Sequence, residues 1–189
     1  MSEPHRLGTD RLTQVMNLSE LLRQTARQFP ELPGLIHREQ QWCWRDIDQR
    51  VDAMALALRE RGIRPGDAIL VHSRNNLQMF ESAWVAFRMG CVWVPTNFRL
   101  APLEVAHLAE SSGARVMIHE RGFEDHVAAA RAASTALREV ICIGEPQGLE
   151  LGYETLLAPH RGQAFESECV HPDTPLWFFY TSGTTGRPK

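Results

Sequence analysis

Four short apolar runs, at residues 68–71, 91–94, 116–118 and 140–143, recur along the chain with helix-patterned stretches between them. Each run is rich in Val and Ile and lacks the alternation of a strand with one wet face. Strands of that kind are buried on both sides. Alternating with helices, they predict an α/β fold, a mostly parallel sheet layered with helices.

The helical stretches carry their own start and stop signals. Asn17 and Glu20 have capping-box spacing, and Leu18, Leu21, Leu22, Ala26 and Phe29 follow as one apolar face. Leu35 and Ile36 suggest a short strand before a turn at 38–41. A second helix is predicted over 44–61, with Ile47, Val51, Met54, Ala55 and Leu58 inward and Gly62 as a left-handed cap. Pro65-Gly66-Asp67 turns the chain into the first apolar run. Asn76 caps a helix over 77–89 that Gly90 closes, Pro95 ends the next strand, and Pro102 with Glu104 opens another helix. An Ala-rich helix is expected over 123–137 as a solvated outer layer. The stretch 144–172 reads as a long connection with a short helix at 153–157, tied in by Leu156, Leu157 and Phe165. Residues 176–180 form a last apolar strand.

That strand delivers an unusual ending, Tyr180-Thr181-Ser182-Gly183-Thr184-Thr185-Gly186-Arg187-Pro188-Lys189. Hydroxyls, glycines and one cation converge in ten residues, a set suited to holding phosphate. The chain has 20 basic residues, and Lys189 is the only lysine. A lysine is a mobile point charge, whereas an arginine is a rigid fork. The order of residues excludes a Walker loop, since Pro188 precedes Lys189, and a nucleophile elbow at Ser182, since Tyr180 and Thr184 stand where glycines are required.

Bulk properties narrow the remaining choices. With 189 residues, 43% hydrophobic and 23% charged, the chain can build a globular core. A net charge of −3 offers no broad basic surface, so no nucleic-acid partner is expected. No apolar run has membrane-spanning length, and residues 1–12 lack the apolar core of a signal peptide, so a cytoplasmic location is expected. Cys43, Cys91, Cys142 and Cys169 are widely spaced and read as packing residues; the eight histidines are scattered without a ligand pattern. No metal site is expected.

The terminal segment resembles the phosphate-binding signature of the AMP-forming adenylating enzymes, Tyr-Thr-Ser-Gly-(Ser/Thr)-Thr-Gly-x-Pro-Lys, at every fixed position. The resemblance extends upstream through Pro65-Gly66-Asp67, Asn75-Asn76, and the segment from Gly90 to Leu100 with Glu104 after it. Asp173 fits the lead into the loop. Residues 96–100 look most like bacterial fatty-acyl-CoA synthetases. Gly66, Gly90, Pro95 and Asn97 are read as structural. One departure stands at the second helix, where relatives carry Thr-Tyr and this chain has Cys43-Trp44; cysteine is the poorer cap.

The resemblance implies the first part of the large N-terminal domain of an adenylate-forming enzyme, an incomplete AMP-binding domain over 1–189. The implied reaction joins a carboxylic acid, fatty by the nearest resemblance, to AMP using ATP, and then passes the acyl group to coenzyme A. The implied nucleotide-binding residues are Thr181, Ser182, Gly183, Thr184, Thr185, Gly186 and Lys189, with magnesium bridging the phosphates. No residue of this chain is implied as catalytic, because the family's later motifs lie beyond Lys189; alone, the chain is expected to be inactive. A homo-oligomer is compatible with this reading. Two alternatives remain open: an amino-acid or aryl-acid adenylation domain that loads a carrier protein, and a non-catalytic phosphate-binding or interaction module.

Overall fold

The computed structural model describes residues 17–171 and 173–181. The chain order is α1 (Glu20–Gln28), β1 (Pro33–His37), β2 (Gln40–Cys43), α2 (Trp44–Glu60), β3 (Ala68–His72), α3 (Leu77–Arg88), β4 (Val92–Pro95), α4 (Pro102–Ser112), β5 (Val116–Glu120), α5 (Glu124–Ala133), β6 (Glu139–Ile143), β7 (Leu151–Gly152) and α6 (Tyr153–Leu157). Strands β3 to β7 form one parallel sheet in the order β4-β3-β5-β6-β7, while β1 and β2 pair separately as an antiparallel hairpin.

The expected three-layer arrangement is present, and its physical basis is the double burial of the strands. Ile69 and Val71 of β3 face a core shared with Ile47, Val51, Met54 and Leu58 of α2 and Val85 and Ala86 of α3. Ala68 and Leu70 face the opposite core, with Val105 and Leu108 of α4 and Val127 and Ala130 of α5. Phe165 and Leu157 join the first core, so the 144–171 stretch packs onto the sheet.

The predicted caps hold in most places. Asn76 Oδ1 accepts from the Met79 amide at 2.8 Å. Gly62 sits at φ 84° beyond α2. Glu104 accepts from the Ala101 amide at 2.7 Å, at the start of α4.

Several expectations need correction. The Asn17 box is not formed: Asn17 Oδ1 accepts from Ser19 N at 2.8 Å, and its amide donates to the Phe87 and Glu168 carbonyls. Asn17 thus ties α1 to the body instead of capping it. On α1 only Leu22 and Ala26 are buried, while Leu18, Leu21 and Phe29 lie at the surface. The turn expected at 38–41 is tighter, because Gln40 and Gln41 already belong to β2. The α5 helix ends at Ala133, four residues early, and it is no mere outer layer, since Val127 and Ala130 are buried beneath it. Cys169 is exposed rather than packed.

The apolar strand expected at 176–180 runs beside β4 but pairs with it for one repeat only. Trp93 N donates to Leu176 O and Phe178 N donates to Trp93 O, both at 3.0 Å. In a parallel ladder the next β4 residue facing that way is Pro95, which has no N–H to give. The ladder therefore stops, and the side chains take over. Trp177 packs on Trp93 with ring centroids 4.5 Å apart, and the Tyr180 hydroxyl bonds Ser111 Oγ at 2.9 Å.

Candidate functional site

All five sheet strands are parallel, so their carboxyl ends form one edge. The connection from β3 leads outward to β4, while that from β5 leads the other way to β6. Such a reversal opens a crevice where ligands of open α/β sheets bind. Residues 73–76, 96–101 and 121–123 rim this edge. The segment from Trp177 runs parallel to β4, so Thr181 leaves the sheet at the same edge, exposed.

Of the predicted nucleotide-binding residues, Thr181 is therefore placed at the rim. Ser182, Gly183, Thr184, Thr185, Gly186 and Lys189 lie outside the described residues. The upstream motif residues take the structural parts expected of them. Gly66 N donates to Gly90 O at 2.8 Å, and both glycines hold left-handed φ angles. Asn97 accepts from the Arg99 amide at 3.0 Å, which shapes the loop after β4.

The rim also holds groups the sequence did not single out. The Arg74 amide donates to Glu120 Oε2 at 2.9 Å, and its guanidinium reaches Oε1 at 3.2 Å. That guanidinium lies over the Phe123 ring at 4.9 Å and over Phe98 at 5.9 Å, while Arg99 covers Phe98 at 5.4 Å. Phe98 thus lies between two cations, of which Arg74 is already paired with Glu120. Arg74 directly precedes Asn75-Asn76, so its position was readable; its link to Glu120 required the β3–β5 pairing.

Two grooves meet at Asn75 and Asn76. One, of about 490 Å³, is polar and includes Arg38, Arg74, Arg121, Gln78 and Glu120. The other, of about 540 Å³, is almost wholly apolar and includes Ile36, Met79, Phe80, Trp84, Trp93 and Trp177. Trp177 belongs to the segment that leads to Thr181, so this groove borders that segment.

Buried titratable groups below the rim are held neutral. Thr96 Oγ1 donates to Val71 O at 3.1 Å, so it must accept from His72 Nδ1 at 2.6 Å, which fixes the His72 tautomer. Burial, with His126, His119 and Arg74 nearby, pushes His72 down to about 3. At the opposite, amino end of β4, burial pushes the Cys91 thiol up to about 12. Neither group can supply charge at neutral pH.

A five-stranded parallel sheet covered by helices on both faces, with arginines along its carboxyl edge, defines an open α/β protein of the kind that takes ligands at that edge. The chain belongs to the AMP-binding enzyme family, whose model matches residues 22–189. It is 26% identical over 183 residues to a 3-oxocholest-4-en-26-oate–CoA ligase of Rhodococcus rhodochrous, covering 92% of this chain and 32% of that protein. It is 29% identical over 164 residues to a fatty acid–[acyl-carrier-protein] ligase of Streptomyces coeruleorubidus, covering 87% of this chain and 30% of the relative. Among solved structures, an anthranilate CoA ligase in complex with anthranoyl-AMP superposes with a TM-score of 0.88 at 22% identity, over 97% of this chain and 35% of that one. The chain thus spans about a third of the length of the curated relatives it matches. Among the described residues no helix is long and apolar enough to cross a membrane.

Proposed function

We propose that the chain is the opening part of an ATP-dependent acid–thiol ligase. The enzyme forms an acyl-adenylate from a carboxylic acid with a large apolar body, most simply a fatty acid, and then a thioester with coenzyme A. The observation that carries this reading is the position of the loop's first residue. Thr181 follows a segment that runs parallel to β4 and includes Trp177 of the apolar groove, which supports a loop leaving at the carboxyl edge of the sheet. The hydroxyls and amides from Thr181 to Thr185 would hold the β- and γ-phosphates. Gly183 and Gly186 would let the backbone approach closely, and Lys189 would offset charge on departing pyrophosphate. This is positioning and electrostatic stabilisation rather than covalent catalysis.

A carrier protein's thiol is the second reading for the acceptor, favoured by the resemblance to the carrier-protein ligase. The test uses the full-length parent with Lys189→Ala. Acid-dependent exchange of pyrophosphate into ATP should fall by a hundredfold or more, on the order of the loss of a key electrostatic contact. Thioester formation from supplied acyl-AMP should change far less. Equal loss in both half-reactions would reject the role given to Lys189. Supplying coenzyme A or a carrier protein as acceptor separates the two readings.

A further inference from the structure

The register of the sheet brings potential metal ligands into one row on the face covered by α4 and α5. His119 of β5 is opposite Cys142 of β6, and Cys142 is opposite Gly152 of β7, with Glu150 two residues before Gly152. We propose that His119, Cys142 and Glu150 form a binding site for a divalent transition metal of the zinc type, and that the ion clips the connection between β6 and β7 onto the sheet.

Geometry carries the assignment. One ligand atom from each of the three residues lies within 4.8 Å of the other two. His119 Nδ1 is 3.1 Å from the Glu120 carbonyl, which can only accept, so the ring proton sits on Nδ1. In the neutral ring Nε2 then carries a bare lone pair, buried and facing Glu150. Glu150 Oε1 stands 3.0 Å from it. Two lone pairs facing each other in a buried site repel, and a cation between them converts that repulsion into two bonds. The Cys142 thiol is buried beside them, with only a distant contact at 3.6 Å to the Glu145 carbonyl.

The donor set selects the ion. One sulfur, one imidazole nitrogen and one carboxylate oxygen suit zinc or cobalt, whereas calcium and magnesium demand oxygen. Thiolate and carboxylate together neutralise a dipositive ion, and three protein ligands leave a position for solvent. The Nδ1–H bond to the Glu120 carbonyl is the kind of outer contact that orients a ligating histidine. Glu120 also holds Arg74, so the clip would connect mechanically to the rim of the nucleotide crevice.

The experiment is a cobalt titration of the full-length, reduced and chelator-treated protein, followed by displacement with zinc. One cobalt per chain is expected, with tetrahedral visible bands and a thiolate-to-cobalt charge-transfer band, and zinc should raise the melting temperature. Cys142→Ser should abolish the charge-transfer band. Glu150→Gln, which alters a loop side chain of unchanged size, should weaken cobalt binding about tenfold or more. If Cys142→Ser fails to fold, Glu150→Gln and a Cys43→Ser/Cys169→Ser control decide. Absence of bound cobalt in the parent, a band that survives Cys142→Ser, or a band lost only in the Cys43/Cys169 control would each overturn the site.

Discussion

Arg88 of α3 reaches Asp52 of α2 at 2.7 Å, with its own side chain wholly shielded from solvent. Asp48 takes the other guanidinium nitrogen at 2.5 Å, and Arg23 of α1 bonds the same Asp52 Oδ1 at 2.8 Å. Three helices therefore share one buried charge cluster. Such a cluster adds little over an apolar substitute, but a partner left alone inside it is costly. Asp52→Ala should lower unfolding free energy by about 3–5 kcal/mol, measured by urea denaturation. A loss below about 1 kcal/mol would show that water reaches Arg88 and that the cluster is not closed.

One guanidinium also serves two acids elsewhere. Arg50 binds Glu81 at 2.5 Å and Glu154 at 2.6 Å, and the Tyr153 hydroxyl adds a bond to Glu81 at 3.2 Å. Burial pushes the Glu81 carboxyl up to about 7 against the pull of Arg50. Burial also opposes the charge on half-exposed Glu154, but hydrogen bonds from Arg50 and Gln78 outweigh it and hold that carboxyl low. The folded state thus keeps a proton on Glu81 that the unfolded chain releases near 4.5. Its contribution is complete below that pH and is lost as pH rises through about 7. Relative to Glu81→Gln, the parent should lose stability between these limits with a slope of up to about 1.4 kcal/mol per pH unit. Denaturation curves at several pH values check this, and a flat difference would contradict it.

Cys43 begins α2 in an extended conformation, with no side-chain cap bond. Cys43→Thr places an oxygen where the first-turn amides need one. The expected gain is about 1 kcal/mol, read as a higher midpoint in urea. No gain would mean that the hairpin ending at Cys43 already orders this turn.

Gly62 and Gly90 share a left-handed backbone, at φ 84° and 64°, but not their surroundings. A Cβ on Gly62 meets nothing within 4 Å, whereas one on Gly90 would come 2.6 Å from Val170 Cγ1. Gly62→Ala should cost about 1–2 kcal/mol from conformation alone. Gly90→Ala should cost more, because Val170 must also move. Equal melting shifts in the two variants would argue that the 168–171 segment yields freely.

Much of this molecule is written in short-range patterns. The unbroken apolar runs at 68–71 and 116–118 could only be strands buried on both faces, and Asn76, Gly62 and Glu104 cap their helices through contacts a few residues away. The expectation of a phosphate loop rests on the same kind of local pattern, since its hydroxyls, glycines and single lysine are consecutive in the chain. Only Thr181 of that loop falls among the described residues, and it lies at the sheet edge where a phosphate loop would be needed.

What neighbours in sequence could not say is which strands lie side by side. That choice puts Glu120 against Arg74 and stacks Arg74 and Arg99 around Phe98. It sets His119, Cys142 and Glu150 together although up to 31 residues separate them, on the order of a strand–helix–strand step. It also turns Pro95 from a strand terminator into the residue that stops the last ladder after a single repeat. Local chemistry decides what each segment becomes. The order of strands, set by how two apolar faces are buried at once, decides which distant side chains meet.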